Sequence, residues 1–213
     1  MQDLELNERN AKQAILLIWI VLVLKIVSLA SGYAHYNLLQ TIASGTEVSE
    51  ERIDESDSRE SIIAWISVIV FIVSVITFIR WFKRAYSNLH KKVNNLSYTA
   101  GWAVGSWFVP IINLYRPYKI MKELYLETKK IVNKENLSTH LLVPWWVLWL
   151  TYCSMSKVIA RSLLSAKTLE GIIYATGLDM IGNIIGIILA LITIKVIEDY
   201  SKAESLLNMN NEE

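Results

Sequence analysis

The sequence predicts an all-α integral membrane bundle of four transmembrane helices, with a cytoplasmic re-entrant or interfacial segment and basic amphipathic helices. The first observation is composition: 53% of the 213 residues are hydrophobic and eight are Trp, more than a soluble domain of this size can hide. The second is four long apolar runs. The third is the concentration of Lys and Arg between the second and third runs.

Each of the four runs is long enough to cross a bilayer. A hydrocarbon core of about 30 Å needs about 20 apolar residues at about 1.5 Å each, which the runs at about 14–34, 61–79, 144–164 and 172–197 provide. The first run could also be a signal peptide, but we interpret it as an uncleaved helix, because its leader is not basic and Lys25 interrupts it. The chain is then a single membrane domain, 1–213.

The distribution of charge predicts the orientation. The connection 80–143 carries eleven Lys and Arg against three Glu, so the positive-inside rule makes it cytoplasmic. The connection 35–60 carries seven Asp and Glu against two Arg and suits the external side. Both termini are then cytoplasmic. Since this acidic stretch lacks the spacing of a calcium loop, we expect a solvated, partly disordered external loop.

The segment 99–118, TAGWAVGSWFVPIINLYRPY, is apolar but too short to cross the membrane as a fifth helix. A crossing would also place the two flanking basic runs on opposite sides, and Pro110 would remove a helical hydrogen bond. We therefore expect a re-entrant or interfacial segment, with Gly101, Gly105 and Pro110 packed against the bundle. Trp102 and Trp107 suit the lipid headgroup boundary.

One basic amphipathic helix is expected before this segment and a second one after it. Their apolar stripes alternate with Lys and Arg at helical spacing and comprise Phe82, Ala85, Tyr86, Leu89, Val93 and Leu96 before it, and Ile120, Met121, Leu124, Tyr125, Ile131 and Val132 after it. The predicted partners are the lipid bilayer and anionic head groups of the inner leaflet, at about 1 kcal/mol per base. Binding of nucleic acid is not expected, because no motif supports it.

Charged residues inside the predicted spans form a candidate intramembrane cluster. Lys25, Lys157, Arg161 and Asp179 each cost about 2.5 to 3.5 kcal/mol near the centre of a span, so they should find partners. The short connection between the third and fourth spans predicts a helical hairpin. We expect Lys157 to pair with Asp179, with Arg161 one turn nearer the outside.

The fourth span carries a face of small and polar residues suited to helix packing. That face contains Asp179, Gly182, Asn183, Gly186 and Ala190, with a GxxxG motif at its centre. We expect it to meet the Ser154, Lys157 and Arg161 face of the third span. Three interpretations stay open: a polar lock that fixes packing, a site for a small anion or protons, or side chains that reach the interface separately.

The central segment resembles a known family. Its pattern is similar to G-W-A-V-G-x-W-F-x-P-x-x-N-L-x-x-P-Y, the core of the uncharacterised bacterial membrane family called domain of unknown function 4328. The matching residues are Gly101, Trp102, Gly105, Trp107, Phe108, Pro110, Asn113, Leu114, Pro117 and Tyr118, and Arg116 lies in the same segment. Thr99 and Ala100 stand where the family usually has Ser-Pro. The resemblance implies a four-helix protein of the bacterial cytoplasmic membrane and brings no known activity.

No catalytic constellation accompanies these features. The sequence has no Ser/His/Asp or phosphate-cradling motif, its three His lack ligand spacing, and its single Cys153 excludes an internal disulfide. We expect no enzyme activity, no cofactor and no metal. The first functional hypothesis is a noncatalytic scaffold, regulatory or lipid-sensing component with a protein partner or a second copy of itself. The alternative is a small transporter or channel that uses Lys157, Arg161 and Asp179.

Overall fold

The computed structural model describes residues 2–132 and 137–209, with side chains over 7–132 and 137–207. Lys134 and Glu135, which contribute to the predicted basic connection, lie outside the described residues. In the described ranges the chain forms six α-helices and one 3₁₀ turn, Ile112–Leu114. The helices are α1 Gln2–Ala43, α2 Glu50–His90, α3 Trp102–Gly105, α4 Arg116–Val132, α5 Leu142–Ser165 and α6 Leu169–Met209.

The all-α prediction is confirmed for this part of the chain, and three of its helices are long and apolar enough to cross a membrane. These stretches are Asn7–Ala43 of α1, the whole of α2, and Leu169–Leu207 of α6. By the same measure of length and composition α5 is less apolar, because its 24 residues include three Trp and four Ser beside two bases. A fourth crossing by α5 therefore stays a prediction.

The acidic connection expected as a loop over 35–60 is instead mostly helical, and that expectation is wrong. Only residues 44–49 separate α1 from α2. The end of α1 is closed by Gly45 at φ 82°, whose N–H donates to the Ile42 carbonyl while Thr46 donates to Thr41, which satisfies the last carbonyls. No Gly or Pro interrupts 46–100, and acidic residues in the first turn favour a helix N-terminus, so α2 begins within the acidic stretch.

The chain divides into two compact units, to each of which four long helices contribute. We call Met1–Trp19, Ile72–Val147 and Ile192–Glu213 the aromatic unit. We call Ile20–Phe71 and Leu148–Leu191 the glycine unit. The 99–118 segment belongs to the aromatic unit, whereas the candidate intramembrane cluster belongs to the glycine unit.

The core of the aromatic unit is built from large rings. Phe78 of α2 has the rings of Trp81, Phe82, Trp107 and Trp145 within 5.5 to 6.2 Å of its own, centroid to centroid. Aromatic pairs at such separations contribute about 0.5–1.5 kcal/mol beyond their burial. This cluster fixes the end of α2, the start of α5 and the 99–118 segment in one core.

The apolar stripe predicted over 120–132 is buried at Ile120, Met121, Leu124 and Tyr125, whereas Ile131 and Val132 are partly exposed. The buried face of α4 comprises Pro117, Ile120, Met121, Leu124, Tyr125 and Thr128, whereas Lys119, Lys122 and Lys130 are exposed. Pro117 lies in the first turn, where its missing N–H would have no helical partner. The earlier stripe is likewise buried over Phe82, Ala85, Tyr86 and Leu89, but these residues form the last turns of α2 and not a separate helix. Val93 and Leu96 lie beyond the end of α2.

Candidate functional sites

The first candidate site is the 99–118 segment, which is anchored to the core at two points. The Trp107 ring lies 5.7 Å from Phe78 and 5.9 Å from Trp146, in edge-to-face contacts. The indole N–H of Trp146 donates to the Leu114 carbonyl at 2.9 Å. Both ends of the turn between α3 and α4 are thereby held, and the residues between them form a loop with a fixed base.

The residues expected to pack this segment against the bundle are not the ones that do. Gly101 and Pro110 are exposed, and an added Cβ at Gly105 would meet nothing closer than a Trp102 ring atom at 3.8 Å. That expectation is wrong, because the loop contacts the core through its side chains. The backbone of the loop does not approach the backbone of another helix closely. Ala103, Ser106 and Pro117 are the buried residues of 99–118.

The tip of the loop presents apolar side chains outward. Phe108 is 70% exposed and Ile111 is 75% exposed, with Leu114 also exposed. Ile111 has φ 68° and ψ −48°, and the Ile112 N–H donates to the Pro110 carbonyl at 2.8 Å. This is a γ-turn of the strained, positive-φ type, which a β-branched residue rarely adopts. Such strain persists only where the surrounding structure enforces it, so the outward position of Ile111 is built in.

Basic side chains flank the tip and are held by aromatic rings. The Arg116 guanidinium lies 4.1 Å from the Trp102 ring centroid and 5.3 Å from that of Tyr98. The Lys119 ammonium lies 5.1 Å from the Tyr115 ring. Cation–π contacts of this kind contribute about 0.5–1 kcal/mol at exposed sites and restrict the cation to one place. The loop therefore carries an apolar tip beside oriented positive charge.

The chain before α3 is fastened to α4 through one carboxylate. Glu123 accepts a hydrogen bond from the Tyr86 hydroxyl at 2.6 Å and another from the Ser97 N–H at 2.8 Å. His90 and Tyr86 both lie within hydrogen-bond distance of the Tyr98 carbonyl. These bonds fix the approach of the chain to the 99–118 segment.

The second candidate site is the polar cluster of the glycine unit. The Lys25 ammonium donates to the Asn183 side-chain oxygen at 3.0 Å, and the Asn183 amide donates to the Asp179 carboxylate at 2.8 Å. The Tyr152 ring lies 5.5 Å from the same ammonium. Lys25, Asn183 and Asp179 thus form one hydrogen-bonded chain between α1 and α6.

The expected ion pair between Lys157 and Asp179 is absent from the described residues. Close approaches of Ile159 to Gly182 and of Tyr152 to Gly186 set the register of α5 on α6. In that register Asp179 is level with residues 159–162, two to five residues beyond Lys157. Ser154, Lys157 and Arg161 are exposed, so the α5 face that meets α6 is not the one expected.

The GxxxG motif lies at a close helix contact. A Cβ added at Gly182 would lie 2.6 Å from the Ile159 Cδ1. At Gly186 an added Cβ would lie 3.2 Å from the Tyr152 ring and 3.3 Å from the Lys25 Cδ. The two glycines therefore admit α5 and α1 side chains to the α6 surface, and Ala190 continues the buried face.

Comparison with protein families finds a match to Domain of unknown function (DUF4328) over residues 44–202. The chain belongs to this family. The match covers α2 to α5 and most of α6, and so includes both the 99–118 segment and the Asp179–Asn183 end of the polar cluster. Lys25 precedes the DUF4328 match. Comparisons with curated proteins and with solved structures each found no match.

The aromatic unit contains another polar cluster, which was not predicted from the sequence. Its residues extend beyond the DUF4328 match on both sides. Glu204 of α6 is only 3% exposed and accepts hydrogen bonds from the side-chain amides of Asn7 and Asn88, the latter at 2.9 Å. Arg84 adds an attractive charge. The detectable signal is periodicity, since Asn7 and Glu204 each occupy the apolar face of their own helix beside Ala11 and Ala203.

No group of three or more His, Cys, Asp or Glu side chains in the described ranges is arranged to hold a metal ion. Burial, and secondarily the charge of Asp199, raises the pKa of the Tyr125 phenol, which donates a hydrogen bond to the Val196 carbonyl. That phenol therefore stays neutral and joins α4 to α6.

Proposed function

We propose that this DUF4328 protein is a noncatalytic, multi-pass component of a bacterial cytoplasmic membrane that senses or organises lipid at the inner leaflet. The observation that carries the proposal is the loop between α3 and α4, with an outward apolar tip and ring-held bases beside it. In this proposal α1, α2, α5 and α6 cross the membrane, both termini are cytoplasmic, and the tip of the 99–118 segment enters the lipid interface.

The apolar side chains of the tip supply the attraction to lipid. Full transfer of a Leu, Ile or Phe side chain out of water is worth about 1.5–3 kcal/mol. Phe108, Ile111 and Leu114 are exposed together on one loop, and none of them contributes to the aromatic core. A soluble surface would carry such a group only at a cost, whereas a lipid interface would stabilise it.

The flanking bases supply the preference for anionic lipid. Arg116, Lys119 and Lys122 lie in the first two turns of α4, directly after the tip. Each base near an anionic surface contributes about 1 kcal/mol. Because the Arg116 side chain is already held by Trp102, little side-chain entropy is lost when it meets a phosphate.

The proposed role is that of a scaffold or regulatory subunit. A lipid-responsive loop joined to long helices can pass a change in the bilayer to a protein partner or to a second copy of the chain. We expect neither nucleic-acid binding nor turnover of a substrate in this role.

Depth-dependent quenching tests the proposal. In a Cys153→Ser background, Ile111→Cys labelled with an environment-sensitive dye should be quenched by lipids brominated on their acyl chains. The matched control is Asn95→Cys in the exposed connection 91–101, which should not be quenched. Added phosphatidylglycerol should move the label at position 111 deeper into the bilayer and so increase its quenching. A double variant, Lys119→Gln with Lys122→Gln, should lose that response. Equal quenching at 111 and 95 would contradict the proposal.

The second candidate, a small transporter or channel, is favoured by the continuous Lys25, Asn183 and Asp179 chain. If the protein is a transporter, these three hydrogen-bonded side chains receive a small anion or a proton. If they form a polar lock, they fix α1 to α6. Flux of protons or chloride into proteoliposomes, lost in Asp179→Asn at unchanged melting temperature, supports transport. No flux together with a lowered melting temperature supports the lock.

A further inference from the structure

We propose that a cavity in the glycine unit binds a long-chain carboxylate of the fatty-acid class. This site is separate from the interfacial loop and does not depend on its proposed role. The cavity has a volume of about 400 Å³ and lies between α1, α2 and α5. That volume is within the range of about 300–1,000 Å³ typical of small-molecule sites.

Two lysines line this one cavity. Lys25 and Lys157 both contribute to its wall. Lys25 is linked to Asp179 only through Asn183, while Lys157 makes no hydrogen bond or ion pair with any residue in the described ranges. On a wall of low polarity, an ammonium group without such a partner favours an anion beside it. The cavity thus has the charge of an anion site.

The remaining wall suits a hydrocarbon chain. Val21, Leu24, Val68 and Phe71 provide apolar surface, and the Tyr152 ring closes the wall beside Lys25. The exposed side chains of Val68 and Lys157 show that the cavity opens at the surface of the unit. An amphiphile with a carboxylate head and an alkyl tail satisfies both parts of the wall, whereas a small inorganic ion would leave the apolar part empty.

Cys153 provides the assay, since it lines the cavity and is the single cysteine of the chain. In the full-length protein in a non-ionic detergent, oleate should slow alkylation of Cys153 by N-ethylmaleimide several-fold. Oleyl alcohol, which lacks the charge, and acetate, which lacks the chain, should not. Lys157→Met should raise the oleate concentration needed for protection about tenfold or more, the effect of losing a charge-assisted bond.

The matched control is Lys167→Met, which removes an exposed lysine from the 166–168 connection outside the cavity. In this variant oleate should protect Cys153 at the same concentration as in the parent protein. Equilibrium dialysis of radiolabelled oleate gives the same comparison without the thiol. The proposal is overturned if oleyl alcohol protects as well as oleate, if acetate alone protects, or if Lys157→Met and Lys167→Met bind oleate equally.

Discussion

Replacement of Gly182 by Ala should destabilise the glycine unit, although Ala is the better helix former. The new Cβ would lie 2.6 Å from the Ile159 Cδ1, nearly 1 Å inside ordinary contact, and Ile159 is itself buried. Overpacking of this kind costs about 1–3 kcal/mol. Gly177 of the same helix is the matched control, because a Cβ added there meets nothing within 4 Å. Both substitutions gain the same propensity of about 1 kcal/mol, so their difference isolates the packing cost.

The assay is unfolding by SDS titration in mixed micelles, with the free energy of unfolding compared between the two variants. Gly177→Ala should be neutral or stabilising, and Gly182→Ala should lie about 1 kcal/mol below it, at the low end of overpacking, because only the end of the Ile159 side chain has to move. In a chain of this length 1 kcal/mol corresponds to about 2–4 °C in melting temperature. If the two variants unfold alike, the close approach of α5 to Gly182 is wrong, and the register that separates Lys157 from Asp179 is wrong with it.

Three further substitutions probe the aromatic unit. Glu204→Leu should lower the free energy of unfolding by about 2–6 kcal/mol, since two buried amides, Asn7 and Asn88, lose their acceptor; an unchanged value in the same titration would refute that cluster. Trp145→Ala, at 1% exposure, should cost about 3–5 kcal/mol by thermal melting, and a loss below 1 kcal/mol would show that the ring is not core. Because the folded pKa of Tyr125 lies above its usual value of 10.0, stability should fall as pH rises above about 10, and Tyr125→Phe should flatten that fall in melts between pH 9 and 11.5; parallel curves would contradict this.

The helices were predictable because their signals are local. The uncharged run 61–79 lies within α2, and the spacing of Gly182 and Gly186 identified a face that does admit neighbouring side chains. Likewise the stripe from Ile120 to Tyr125 was enough to predict the buried face of α4. In each case a period of 3.6 residues and side-chain size carry the information.

Helix ends were less predictable, because charge alone does not separate a loop from an exposed helix. The charge of 35–60 predicts a solvated loop, yet no Gly or Pro follows Gly45 in 46–60 to end a helix, and Glu50 and Glu51 favour the start of one. The positions of Gly and Pro predict the ends of these helices better than the number of charges does.

Pairings between distant residues were not predictable from spacing. Lys157 and Asp179 were matched by counting outward from the connecting turn, but helix crossing shifts the register by about a turn, and Lys25 from α1 takes the place beside Asn183. The contact of Asn7 with Glu204 joins positions almost two hundred residues apart. Only their location on apolar helix faces hinted at it.

Cysteine accessibility on the two sides of the 99–118 segment tests the central claim most directly. In a Cys153→Ser background, Lys92→Cys precedes the segment and Lys122→Cys follows it, and both positions are exposed. If the loop dips into the interface and returns, a membrane-impermeant maleimide should label both sites in inside-out vesicles and neither in intact cells. Labelling of the two sites from opposite sides would mean that the segment crosses the membrane, which contradicts the account.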